Sequence, residues 1–387
     1  MRLRRTTLLS LVLAGGLLAG GLAAILPLSP TTSTALASRI VRPETRSSGT
    51  GDLAYVANSL SGTVSVLELA SGRVVATVAV GHSPDALAAT PNGRTVYVAN
   101  STSATVTPIS TATNRAGAPI KVGSQPDALA ITPGGETVYV ANATSDTVTP
   151  IRVATNRPGP PITVGSSPRA IAVTPNGRTA YVCNWGSASV TPIHTATDRA
   201  GPPIRVGSYP FAIALTKSGA RAYVVDYGSN AVTPIDTATD RAGPPIRVGQ
   251  APDAIALTPN GEKAFVVNGD SDTVTPISLP SDRALAPIRV GYSPVAVAVS
   301  PSGTTAGVAN SISGTVTFFD TTTDSKLRAT SVGLYSYPVA LRFSPAGNRA
   351  VVVSSYGGLV TLIDAATRRA LRSVNVGSYP VAVAIVR

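Results

Sequence analysis

A single cysteine, Cys183, excludes an internal disulfide framework and a cysteine-based zinc site in this chain of 387 residues. Two histidines, His82 and His194, are too few for a His-rich metal centre. Charged residues make up only 13%, about half the usual ~25%. That excludes a coiled coil and a charge-rich disordered chain. One tryptophan and one methionine exclude a repeat built on either residue. What is abundant is turn chemistry: 35 glycines and 32 prolines, about one residue in six. Combined with 43% hydrophobic residues, this points to many short elements joined by tight turns around a sizeable core.

The charge is mostly arginine. Thirty-one basic residues, only four of them lysine, oppose 19 acids for a net charge of +12. Loss of Arg2, Arg4 and Arg5 with a leader would leave +9. Such a balance suits nucleic acid, anionic wall polymers or lipid headgroups without choosing among them.

The first 37 residues read as a secretory signal. A basic start, an apolar run over Leu8–Leu28 and Ala35-Leu36-Ala37 before Ser38 fit its pattern. The apolar run is also nearly long enough to serve as an uncleaved anchor. Residues 38–51 are polar and read as a flexible lead-in. Secretion or cell-surface display is therefore expected, with any membrane contact through the N-terminal segment alone.

Residues 52–387 repeat. Tyr-Val-x-Asn or a close variant begins at Tyr55, Tyr97, Tyr139, Tyr181, Tyr223, Phe265 and Gly307, always 42 residues apart. An eighth copy starts at Val351, 44 residues later, because Leu334-Tyr335 is inserted upstream. A second anchor, Val-Gly-x-x-Pro, keeps step and ends at Pro84, Pro126, Pro168, Pro210, Pro252, Pro294, Pro338 and Pro380. Each unit carries four short apolar stretches, with a hairpin turn such as Pro91-Asn92-Gly93 between the first two. Four strands per unit of 40–45 residues is the pattern of a β-propeller blade. The chain enters at Leu53 with a second strand and ends at Val381–Arg387 with a first. Pairing of the two would close the ring, and counting gives eight blades, or seven if one unit fails to close.

These residues resemble the YVTN β-propeller repeat family, which includes surface-layer and YncE-like periplasmic proteins. The resemblance spans about Gly51–Arg387 and implies an all-β propeller. Its members are mostly seven-bladed, so a count of eight departs from the pattern. Some related propellers are lactonases or carry quinone or haem chemistry. The quinone-docking repeat wants a tryptophan in every blade, whereas Trp185 stands alone here, and no cofactor is expected.

Within the repeat, the recurring Tyr is expected to pack between blades and Cys183 to be a small buried residue. Ala86 and Ala88 would let the innermost strands crowd the axis. Pro108, Pro150, Pro192, Pro234 and Pro276 fall inside third strands, which implies a repeated bulge. Lys121, Arg205, Arg247 and Arg289 put charge on outer edges.

Function is sought where units differ. Strand order sends second-to-third and fourth-to-first connections to one face. That face receives all seven tyrosines that are not repeat anchors: Tyr209, Tyr227, Tyr292, Tyr335, Tyr337, Tyr356 and Tyr379. It also receives Trp185 and His82. The residue after each repeated proline starts the channel mouth and reads Asp85, Asp127, Arg169, Phe211, Asp253, Val295, Val339 and Val381. Asp146, Asp226, Asp270 and Asp272 add acids in nearby loops. Aromatic rings with a polar handle suit a binding surface, although the same rings would also serve to plug the channel. The opposite face carries Arg115, Arg157, Arg199, Arg241 and Arg283 at fixed spacing. Nucleic acid is disfavoured because the aromatics lie on the other face.

The expected function is a monomeric, non-catalytic binding module for a protein, glycan or anionic cell-wall polymer. The alternative is a lactonase-like hydrolase, in which Asp85, Asp127 and Asp253, with His82 adjacent, would hold a metal at the mouth.

Overall fold

The computed structural model describes residues 51–387; the expected signal and nearly all of the lead-in lie outside them. Eight antiparallel sheets make eight blades. Blades two to eight each run from an innermost strand outwards. Their innermost strands are Pro84–Ala89, Pro126–Ile131, Pro168–Val173, Pro210–Leu215, Pro252–Leu257, Pro294–Val299 and Pro338–Phe343. Blade one takes its innermost strand, Pro380–Val386, from the end of the chain and pairs it with Leu53–Asn58, with Leu53 opposite Val386 and Asn58 opposite Pro380. Each innermost strand touches those of both neighbouring blades, and the last touches the first, so the ring is closed by strand pairing. No open seam remains to expose an unpaired edge. The eight-blade count holds.

The core lies between blades. Second and third strands are buried on both sides, and eight apolar clusters each join two adjacent sheets. Tyr97, Tyr139, Tyr181 and Tyr223 are fully buried there, as is Cys183, whose thiol is pushed well up by burial. Where the repeat loses its Tyr, the partner across the strand pair compensates in volume. Tyr97 faces Pro108, but Gly307 faces Phe318. A Cβ on Gly307 would meet the Phe318 ring at 3.1 Å.

The two sequence anchors meet in space. The Asn that ends a second strand is fully buried, and its amide donates to hydroxyls on the third strand, as Asn142 does to Thr147 and Thr149 at 3.2 and 2.9 Å. The glycine of Val-Gly-x-x-Pro lies flat against this side chain. A Cβ on Gly123 would stand 2.7 Å from Asn142 Cγ. No larger residue fits, which is why both positions repeat together.

The expected bulge in the third strands is not there. Pro108 pairs in register with Tyr97 without a shift. The interruption falls on the outer strand, which breaks into Arg115–Ala116 and Ile120–Lys121. Pro108 O accepts from Gly117 N at 2.7 Å, so the edge of Pro108 that faces outwards is the one lacking an N–H. An outer strand cannot continue past it. Blades one, seven and eight, with Val66, Phe318 and Leu362 at this position, have unbroken outer strands at Arg73–Ala79, Lys326–Ser331 and Ala370–Asn375.

Candidate functional site

The second-to-third and fourth-to-first connections share one face, termed upper here, and are stitched together in every blade. The residue before each repeated proline is left-handed: Ser83, Gln125, Ser167, Tyr209, Ala251, Ser293, Tyr337 and Tyr379 have φ between 50° and 56°. Bulky residues rarely hold that conformation. It is fixed by the adjoining loop, as when Tyr227 N donates to Tyr209 O at 3.0 Å and Ser59 N donates to Tyr379 O at 2.9 Å. A hydroxyl adds a second stitch, with Ser229 Oγ accepting from Ser208 N at 2.7 Å. Because all eight units share this turn, it is a property of the scaffold. What varies is the side chain it presents.

At blades three to five the variation converges. Trp185 opens a short 3-10 turn, Trp185–Ser187, after the second strand of blade four. Its ring stacks on Tyr209 at 4.8 Å between centroids and meets Phe211 and Tyr227 at 5.7 Å each. The Arg169 guanidinium lies over Phe211 at 4.8 Å and Trp185 at 5.6 Å. It also pairs with Asp127 at 3.6 Å. Tyr209 remains 48% exposed although it is stacked, so the cluster offers a ring face to solvent. Beside it opens a cleft of about 390 Å³, lined by Trp185, Arg169, Gln125, Asp127, Thr144 and Asp146.

The mouth acids have separate environments. Asp85 accepts from Ser59 Oγ at 2.8 Å and Ser101 Oγ at 2.5 Å, bridging blades one and two. Burial pushes its carboxyl above the ordinary range against the pull of those hydroxyls and of Arg169. Burial raises Asp127 to about 6, opposed by Arg169. Burial, with help from Asp270, raises Asp253 to about 7. Asp253 is 6% exposed.

Six of the expected residues, Asp127, Arg169, Trp185, Tyr209, Phe211 and Tyr227, thus form one patch. Tyr337 and Tyr356 make a second, edge-to-face pair at 5.8 Å on blade eight. Asp85, Asp253, Tyr292 and Tyr379 belong to neither. Asp85, Asp127 and Asp253 are not gathered with His82: among the described residues no three His, Cys, Asp or Glu side chains stand close enough to hold a metal. Asp226 is not a loop acid. It is fully buried at the end of the second strand of blade five, in the place of the repeated Asn. Gln125 and Thr144 were missed as cleft residues. Only the unit-to-unit variation of the turn position could have singled out Gln125, and nothing local distinguishes Thr144.

The family described as "Lactonase, 7-bladed beta-propeller" matches residues 45–159, less than a third of the chain. No curated protein matches. Among solved structures, a Kuenenia stuttgartiensis hydrazine synthase chain aligns with a TM-score of 0.61 at 22% identity, covering 73% of this chain and 95% of that one. The dihydro-heme d1 dehydrogenase NirN, in complex with DHE, aligns with 0.75 at 14% identity, covering 90% and 78%. A functionally unknown protein from Desulfotomaculum acetoxidans aligns with 0.61 at 15%, covering 78% and 99%. At these identities the likeness is one of fold. The chain is an eight-bladed β-propeller.

Proposed function

We propose that the protein is a secreted or surface-displayed binding module whose upper face takes a glycan in the cleft beside Trp185. The observation that carries this reading is the cleft's make-up: the Trp185 ring, backed by Tyr209 stacked on it, set beside amide, hydroxyl and carboxylate groups. Sugars offer apolar C–H faces to rings and hydroxyls to such polar groups. Extracytoplasmic placement rests on the N-terminal pattern of Leu8–Leu28 and Ala35-Leu36-Ala37. A glycan array probed with the purified protein, wild type against Trp185→Ala, tests the reading. Loss of a wild-type signal in the variant supports it. An array that stays blank, or a signal unaffected by the substitution, counts against it.

A second reading has its own support. The segment that matches the lactonase family, residues 45–159, includes Asp127, raised to about 6, and outside it a second mouth carboxyl, Asp253, is raised to about 7. Groups poised near neutrality can serve as general acid or base. Hydrolysis of simple lactones, abolished in Asp253→Asn, would establish it.

A further inference from the structure

The fifth position of the innermost strand is alanine in seven blades: Ala88, Ala130, Ala172, Ala214, Ala256, Ala298 and Ala384. In blade eight it is Arg342. Its neighbours along the strand show where it sits. Ala340 packs towards blade one and Leu341 and Phe343 towards blade seven, so the strand's alternation sends Arg342 to the blade-one side. Arg342 is exposed to solvent, yet protein surrounds it closely enough that desolvation lowers its guanidinium from the usual range. Its strand is one of eight innermost strands that touch one another around the ring, so a side chain exposed here stands towards the central channel. Small alanines on the flanking strands leave it room.

No hydrogen bond or ion pair holds this guanidinium among the described residues, and no acid lies near enough to act on it. Its five N–H donors therefore have no acceptor of their own. Enclosure lowers the effective dielectric and strengthens attraction to any anion that enters. Arg342 also lies three residues below the mouth position Val339, roughly 10 Å at ~3.3 Å per residue. It is therefore nearer the face opposite Asp85, Asp127 and Asp253. The inner hairpins of that face carry both signs at one position, exposed Arg94 and Arg178 and exposed Glu136 and Glu262, and its outer turns carry exposed Arg115, Arg157, Arg199 and Arg241.

We propose that Arg342 binds a small oxyanion, a carboxylate or phosphate group, inside the central channel. A planar guanidinium suits either group through paired N–H···O bonds. This site is separate from the cleft beside Trp185 and does not depend on it.

The test is calorimetric titration of the purified full-length protein with sodium phosphate and, separately, sodium acetate at fixed ionic strength. Arg342→Ala restores the residue seven blades carry, so the fold should survive, and its circular dichroism spectrum checks this. Saturable binding of either anion that weakens at least tenfold in Arg342→Ala, and survives in Arg199→Ala with Arg241→Ala, supports the proposal. A second readout separates binding from structure. Phosphate should raise the melting temperature of the wild type, as a ligand of the folded state does, and leave that of Arg342→Ala unchanged. The proposal is overturned if neither anion saturates on the wild type, if Arg342→Ala binds as tightly, or if only the outer arginine pair abolishes binding.

Discussion

The Tyr181 hydroxyl donates to Asp240 Oδ1 at 2.5 Å, across the boundary between blades four and five. The same latch joins Tyr55 to Asn114, Tyr97 to Asn156, Tyr139 to Asp198 and Tyr223 to Asp282, at 2.6–2.7 Å and always 59 residues apart. Each acceptor holds a left-handed turn position, which Asn and Asp tolerate. One residue thus serves the turn of its own blade and the Tyr of the preceding one. Phe265 has no hydroxyl, and there Lys263 Nζ reaches Asp324 at 2.9 Å instead.

Tyr181→Phe should keep the interblade packing and remove only the latch. A hydrogen bond to a charged group contributes about 1.5–3 kcal/mol, so urea unfolding should show a loss near the lower end of that range with little change in slope. No loss would mean that water replaces the hydroxyl without cost.

Asp226 gives a pH-dependent prediction. Its carboxyl accepts from Thr233 Oγ1 at 2.5 Å but is fully buried, and burial raises it to about 7. The third-strand hydroxyl that helps hold Asn142, from Thr147, is absent here because the equivalent residue is Ala231. A folded value above the ordinary carboxylate value of 3.8 means the folded state binds the proton more tightly. Stability from this group is therefore full below pH 3.8 and is lost as pH rises to about 7. Asp226→Asn removes the titration and restores the repeat residue. Its melting temperature should exceed that of the wild type by a margin that grows from pH 4 to pH 7 and then levels off. A margin independent of pH would show that Asp226 is not the group responsible.

Two glycines separate crowding from backbone strain. Gly123→Ala drives a Cβ to within 2.7–2.8 Å of Asn142 and should cost more than ~2 kcal/mol, in the range of overpacked cores. Gly261 has φ +73° but nothing within 4 Å of its missing Cβ. Gly261→Ala should cost only the left-handed penalty, about 1–2 kcal/mol. Chemical denaturation of both variants ranks them.

The ring and its closure were legible because spacing and strand order are written along the chain: a first strand supplied last has only Leu53–Asn58 to pair with. Relations between units were harder to read. The latch from Tyr181 to Asp240 skips into the next repeat, so a single unit shows a Tyr and an Asx with no sign that they meet. The five third-strand prolines are plain in the sequence, but spacing does not say which neighbouring strand faces the missing donor, and the break falls on the outer strand. Asp226 looked like a loop acid because Asp is common in loops, whereas its place in the repeat is that of a buried Asn. Strand order alone puts the spare aromatics in the connections of the upper face. That Trp185, Tyr209, Phe211 and Tyr227 would converge while Tyr292 and Tyr379 stand apart depended on ring geometry that spacing does not encode.

Removing Pro380–Arg387 should leave blade one without its innermost strand and Leu53–Asn58 with an open edge. Unfolding of the truncated chain should lose its single cooperative transition, and the protein should self-associate during size-exclusion chromatography. A monodisperse, cooperatively folded product would show that pairing across the chain ends is dispensable.

The central claim is that the aromatic patch on the upper face binds a glycan. Its most direct test is to titrate the strongest oligosaccharide hit from the array into three proteins: wild type, Trp185→Ala with Tyr209→Ala, and Arg199→Ala with Arg241→Ala. Truncating a central interface aromatic typically costs ~2 kcal/mol or more. The aromatic pair should therefore weaken binding well over tenfold, and the arginine pair should change it by less than about threefold. If the arginine pair abolishes binding while the aromatic pair leaves it intact, the binding face is the opposite one and the rings around Trp185 only plug the channel mouth.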